Sequence, residues 1–356
     1  MRPSKVIELV FFLVSTANKN LRKIVESAAG MQNSLSATLV IIVAVCFCNT
    51  SKPSKPPNYP TGQLELGYYK RGPWVDVCKV IGENCGNAKY RCDLYYPTNL
   101  GANGFHHPVL TWGNGTLAKP QDYECFLEHM ASWGFVVIAT EDPLTGEGKT
   151  MLNAATFLIN SNSDSNSRFY QKINTDEVGS FGHSQGASGA INAMMLSTHM
   201  MLSTQVKTAV AIELPRRWAC WGLNNFCTDT SRLTSGSIFL IDGSADRTSP
   251  PLQPWGLPAS LVGPQSIEAY YEEAPNTVEN VKATLIGPDH NDVQGQPYCS
   301  GNTGPCVNGV FGYLGYPTAW MMYHLQGDIK AKAAFVRRTE HGSGGEIFSQ
   351  PKNWST

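Results

Sequence analysis

The sequence predicts an α/β fold: a mostly parallel central sheet with helices on both faces and no large inserted lid. Two observations predict it. Short apolar, β-rich runs recur at 109–112, 135–139, 178–181, 209–214, 238–241 and 283–286, and segments of helical pattern, such as 121–133 and 151–159, lie between them. The runs are apolar without alternation, which marks strands covered on both faces, and strands that alternate with helices build a parallel sheet. Ligands of such open sheets sit at the carboxyl ends of the strands, so functional residues are expected just after the runs.

The chain reads as three parts. Residues 1–50 are a targeting region with two apolar runs, 6–14 behind the basic Arg2 and Lys5, and 37–47. Both are shorter than the roughly 18 apolar residues a spanning helix needs, so a signal peptide fits better than an anchor. Met31 stands just before the second run and could be the working start; the alternative is an uncleaved signal-anchor that tethers the protein to a membrane. Residues 51–60 (SKPSKPPNYP) are a spacer, and 61–356 carry no further linker, charge block or repeat, which implies a single domain.

Composition excludes some partners. A net charge of −1, with Lys and Arg scattered, offers no field for phosphate, so nucleic acid is not expected as a partner. Charged residues make up 15%, below the roughly 25% usual for soluble proteins, which suits an extracellular surface. Cysteine use points the same way. With Cys46 and Cys48 lost with the leader, an even set remains: Cys78, Cys85, Cys92, Cys125, Cys220, Cys227, Cys299 and Cys306. Cys220/Cys227 and Cys299/Cys306 can each staple one loop, and the other four allow three connectivities. No Cys-x-x-Cys and no His at ligand spacing joins them, so no metal is expected. Asn114-Gly115-Thr116 and Asn353-Trp354-Ser355 match the glycosylation pattern.

The chemistry-bearing motif is Gly182-His183-Ser184-Gln185-Gly186, placed after the run 178–181 and before a helical pattern at 187–196. Strand, turn and helix are the context of a nucleophile elbow, in which glycines clear the flanks of a strained serine. A serine hydroxyl needs a base to take its proton, and on sheets of this kind the partners follow in the order Ser, acid, His. His290 follows the run 283–286 and is the expected base; His199 precedes any acid, His324 sits mid-helix, and His341 lies in the tail. The acid is Asp246, past the end of the run 238–241, where it can accept the imidazole N–H. Asp242 is still at the strand, and Asp289 points elsewhere if His290 faces Ser184. The expected oxyanion amides are those of Gln185 and of Asn114, in the Gly-rich loop after 109–112.

These residues carry a resemblance. His107-Pro108-Val109-Leu110-Thr111-Trp112-Gly113-Asn114-Gly115-Thr116, the run 131–139, the elbow, and Asp246-Arg247-Thr248-Ser249-Pro250 together resemble secreted α/β-hydrolases of the cutinase-like, polyester-hydrolase and dienelactone-hydrolase group, over residues 88–335. The resemblance implies an α/β-hydrolase fold and a triad of Ser184, Asp246 and His290. The stretch between Asp246 and His290 and the cysteine-bearing loop 298–306 depart from compact members of the group and border the site.

The region between the runs 209–214 and 238–241, where a lipase lid would insert, spans 215–235 and is short, so an open site is expected, with Trp218 and Trp221 as a possible apolar platform. The expectation is a secreted, monomeric serine esterase without cofactor, acting on polyester or cutin-like esters or on acyl esters of plant cell walls. The alternatives are a lipid-directed esterase, lipase-like or chlorophyllase-like, and a non-catalytic binding protein. Fold alone does not establish chemistry.

Overall fold

Strands β1 (Val77–Glu83), β2 (Cys92–Pro97), β3 (His107–Gly113), β4 (Val136–Thr140), β5 (Ile173–His183), β6 (Thr208–Ile212), β7 (Ser237–Gly243) and β8 (Glu279–Leu285) form one sheet in the spatial order β1-β2-β4-β3-β5-β6-β7-β8. Only β2 runs against its neighbours; every other pairing is parallel. This is a computed structural model that describes residues 59–335, apart from position 61 and the stretches 87–88, 201–203, 223–225, 253–257, 296–298 and 300–305. The expected leader, most of the spacer, His341 and the sequon at Asn353 lie outside the described residues. No described helix is long and apolar enough to cross a membrane.

Helices α1 (Gln63–Tyr69), α2 (Glu124–Ser132), α3 (Lys149–Ser161), α4 (Gln185–His199), α5 (Ala259–Val262), α6 (Ile267–Glu273), α7 (Phe311–Gln326) and α8 (Ile329–Lys332) flank the sheet. Successive strand residues point to opposite faces, and here each face has its own core. Leu110, Trp112, Phe181, Val210 and Phe239 pack under α2 and α7 against Phe126, Met130 and Trp320. Val109, Val178, Ala209, Ala211 and Ile238 pack under α3 and α4 against Leu158, Ala187 and Ile191. Burial on both sides is why the central strands lack polar alternation.

All six expected strands are present. The two that sequence patterning did not show, β1 and β2, lie at the antiparallel end. β1 is a half-buried edge strand, and β2, although fully buried, carries a charge-type residue at its second position. That residue, Asp93, is satisfied where the register shifts between Val80 and Glu83: it accepts the Gly82 N–H at 3.0 Å and the Gln121 amide at 2.5 Å. Burial pushes its carboxyl up to about 6.

The cysteines follow the expectation only in part. Cys85 bridges Cys92 and Cys299 bridges Cys306, each across seven positions, and Cys125 and Cys227 are disulfide-bonded too. Cys78 is a free thiol on β1, 3.5 Å from Thr98 Oγ1, so Cys78, Cys85, Cys92 and Cys125 do not close two bridges among themselves. The Cys220 side chain lies outside what is described.

Candidate active site

The elbow is built by close contact. β5 ends at His183, α4 begins at Gln185, and Ser184 between them has φ 53° and ψ −119°, a left-handed conformation that costs on the order of 1–3 kcal/mol. Its amide is anchored on the Ile212 carbonyl at 2.9 Å. The two glycines are needed for space: a Cβ on Gly182 would stand 2.2 Å from the Gly186 carbonyl oxygen, and one on Gly186 would stand 2.0 Å from that of Gly113. The first turn of α4 therefore lies directly on the exit of β3, where the Asn114 loop begins.

The loops after β7 and β8 bring two further side chains to Ser184. His290 Nε2 lies 3.1 Å from Ser184 Oγ, and His290 Nδ1 lies 2.7 Å from Asp246 Oδ2. Asp246 Oδ1 accepts the N–H groups of Thr248 and Ser249 at 2.6 and 3.0 Å, which fixes the carboxylate. An ionised carboxylate only accepts, so Nδ1 carries the imidazole proton and Nε2 is left to accept from the serine hydroxyl. Burial alone would raise the Asp246 carboxyl; hydrogen bonds from Glu213, His290 and Ser249 outweigh it and hold the group well below the usual range. The Asp246 side chain is fully buried, whereas solvent reaches 12% of His290, and Ser184 is half-buried at the surface.

The competing residues go elsewhere. Asp289 Oδ1 accepts the backbone N–H of His290 at 2.7 Å. Asp242 is buried within β7, His199 ends α4, and His324 packs on Trp320 in α7.

Next to Ser184, the Gln185 N–H opens α4 and has no acceptor among the described residues. The Asn114 side chain is a strut: Nδ2 donates to the carbonyls of Thr140 and Asp142 at 2.7 and 3.3 Å, and Oδ1 accepts from Trp112 Nε1 at 3.0 Å. Asn114 is fully buried, so its Nδ2 is closed to glycosylation. The next amide, Gly115 N–H, is committed to Tyr123 Oη at 2.9 Å.

A buried network that sequence reasoning missed ties the pieces together. Tyr123 Oη also meets His183 Nδ1 and the Gln294 amide at 2.9 Å each, and His183 Nε2 donates to the His290 carbonyl at 2.8 Å. His183 is 1% exposed, and burial, with His290 nearby, lowers it to about 3, so it is a neutral spacer. The only sequence signal for it was the polar residue inside the elbow. On the other side, Asp292 accepts the N–H groups of Asp289, Val307 and Asn308, which joins the His290 loop to the end of the Cys299–Cys306 loop.

The short segment expected in place of a lid forms two 3-10 turns, Arg217–Gly222 and Thr230–Arg232. Trp218 on the first is 53% exposed; the Trp221 side chain lies outside what is described. No protein-family model and no curated protein matches the chain.

Proposed function

We propose that this protein is an exported serine hydrolase of carboxylic esters, built on the α/β-hydrolase fold and working through an acyl-enzyme. The observation that carries the reading is the line Ser184 Oγ, His290, Asp246, with spacings of 3.1 and 2.7 Å, on a serine held at φ 53° between a strand and a helix. The eight-stranded order with β2 alone reversed supports the fold, and the two bridges Cys85–Cys92 and Cys299–Cys306 fit an oxidising compartment.

In this reading His290 Nε2 takes the Ser184 proton as Oγ attacks the ester carbon, and Asp246 stabilises the imidazolium. The oxyanion meets the Gln185 N–H and a second amide at Asn114. His290 returns the proton to the leaving alcohol, and water, activated the same way, releases the acid. No cofactor enters these steps.

Exposed apolar side chains support a substrate class. Leu117 after β3, Leu144 after β4 and Trp218 after β6 are 74%, 44% and 53% exposed, and each follows the carboxyl end of a strand, as Ser184 does. Apolar side chains left open at the mouth of such a site suit esters with extended apolar parts, polyester or cutin-like or the acyl esters of plant cell walls. The test is turnover by wild type and Ser184→Ala on short p-nitrophenyl esters, p-nitrophenyl palmitate and a polyester film. Serine-dependent release from short esters and film is expected. Preference for palmitate would move the assignment to a lipid-directed esterase, and no turnover by a folded protein would sink the catalytic reading.

A further inference from the structure

A second acid, Glu213, sits behind Asp246. It follows β6 at φ 55°, its amide donates to the Ile241 carbonyl at 2.9 Å, and its carbonyl accepts Ser249 Oγ at 3.0 Å. Ser249 is also the residue whose amide binds Asp246, so one residue holds both acids. The Glu213 side chain is fully buried. Tyr313 Oη, from α7, donates to Oε1, while no ordinary N–H or O–H donor among the described residues reaches Oε2. A Glu213 oxygen, an Asp246 oxygen and a ring nitrogen of His290 lie within 4.8 Å of one another. The remaining ionisable neighbour is Asp242 of β7, also buried.

Two buried carboxyl groups with oxygens within 4.8 Å of each other are not both ionised without a large penalty, and they bond only through a proton that one of them keeps. Asp246 has two amide donors and an imidazole N–H, which stabilise its anion; Glu213 has one phenol. The proton therefore belongs to Glu213. We propose that Glu213 is a positioning residue, a neutral carboxylic acid that donates to the Asp246 carboxylate and accepts from Tyr313, and so sets the orientation and effective charge of the acid that holds His290. Burial together with the Asp246 and Asp242 charges pushes the Glu213 carboxyl well above the usual range, in keeping with that role.

The activity arm of the test rests on the ester-hydrolase reading; the spectroscopic arm does not. Glu213→Gln keeps both a donor and an acceptor, whereas Glu213→Leu removes them. In infrared difference spectra of wild type minus Glu213→Gln, a carboxylic-acid C=O stretch is expected at neutral pH. Glu213→Gln is expected to keep kcat on a short p-nitrophenyl ester within about threefold, with the acid limb of kcat/KM unmoved. Glu213→Leu is expected to lose about tenfold or more in kcat, the worth of a hydrogen bond to a charged group. Its acid limb should move to higher pH, because a less compensated Asp246 favours the imidazolium. A missing acid band, or a Gln variant as impaired as the Leu variant, overturns the proposal. If Glu213→Leu fails to fold, the Gln variant and the infrared band still decide. A protein without esterase activity that shows the band would sink the ester reading and leave the acid pair standing.

Discussion

Asp246 and Asp242 lie four positions apart on one strand and its loop, yet their surroundings drive them in opposite directions. Asp246 gathers donors and stays ionised; burial pushes Asp242 up to about 8. Replacing Asp246 by Asn should leave the fold intact and put the imidazole proton on the wrong nitrogen, with kcat lower by about 10⁴ and KM little changed, as measured by steady-state kinetics on a short ester. For Asp242 the folded value lies above the unfolded one of 3.8. Its contribution to stability is therefore full below about pH 4 and is lost as pH rises through about 8. Asp242→Asn removes that loss, so the variant's thermal midpoint should gain on wild type between pH 6 and pH 9. A constant difference across that interval would show that Asp242 does not titrate there. The line Ser184, His290, Asp246 was readable from the chain because each member follows a strand. Glu213 was not, since it sits inside the apolar run 209–214 and its partners come from the loop after β7 and from α7, far along the chain.

At the scale of the element, the elbow depends on contact between α4 and the exit of β3. Gly186→Ala would place a Cβ 2.0 Å from the Gly113 oxygen and 2.6 Å from that of Asn114, both backbone atoms that cannot turn aside. The loop must move, at a cost of about 1–3 kcal/mol in stability. Because that loop faces Gln185, kcat should fall by about 10²-fold, the scale of a lost oxyanion donor. Thermal melts with kinetics on the same sample check both; an unchanged kcat would place the oxyanion site elsewhere. Tyr123→Phe probes the network from the side. It leaves the buried Gly115 N–H without its acceptor and His183 Nδ1 without its partner, so a loss of about 1–3 kcal/mol in denaturant unfolding is expected. Central strands announced themselves through apolar-rich runs without polar alternation. β2 did not, because Asp93 interrupts it and is satisfied only by a bulge in β1 and by Gln121.

For the whole molecule, the two short bridges act at opposite ends. Cys85–Cys92 ties β1 to β2 at the antiparallel edge of the sheet, remote from Ser184 in strand order. Cys299–Cys306 ends beside the residues that Asp292 binds, one step from His290. Closing a loop of this size contributes about 2–3 kcal/mol in the chain-entropy model. Removing Cys85–Cys92 by a double Ser substitution should thus lower the thermal midpoint by roughly 3–5 °C with kcat unchanged. Removing Cys299–Cys306 should also alter kcat, since the loop that carries His290 loses part of its support. Equal kinetic effects from both pairs would argue against that coupling.

By itself the sequence determined the α/β class, the six central strands, and Ser184, His290 and Asp246 as the residues to be brought together. Those features are local: an apolar run, a glycine-flanked serine, and a chain order that the parallel sheet converts into nearness at its carboxyl edge. Packing alone set that Cys78 stays free, that the Asn114 side chain is a buried strut, that His183 and Tyr123 brace the His290 loop, and that Glu213 stands against Asp246. Each of these is a relation between residues far apart in the chain, set by how strands and helices pack. No residue type or spacing along the sequence records which buried polar group will meet which partner.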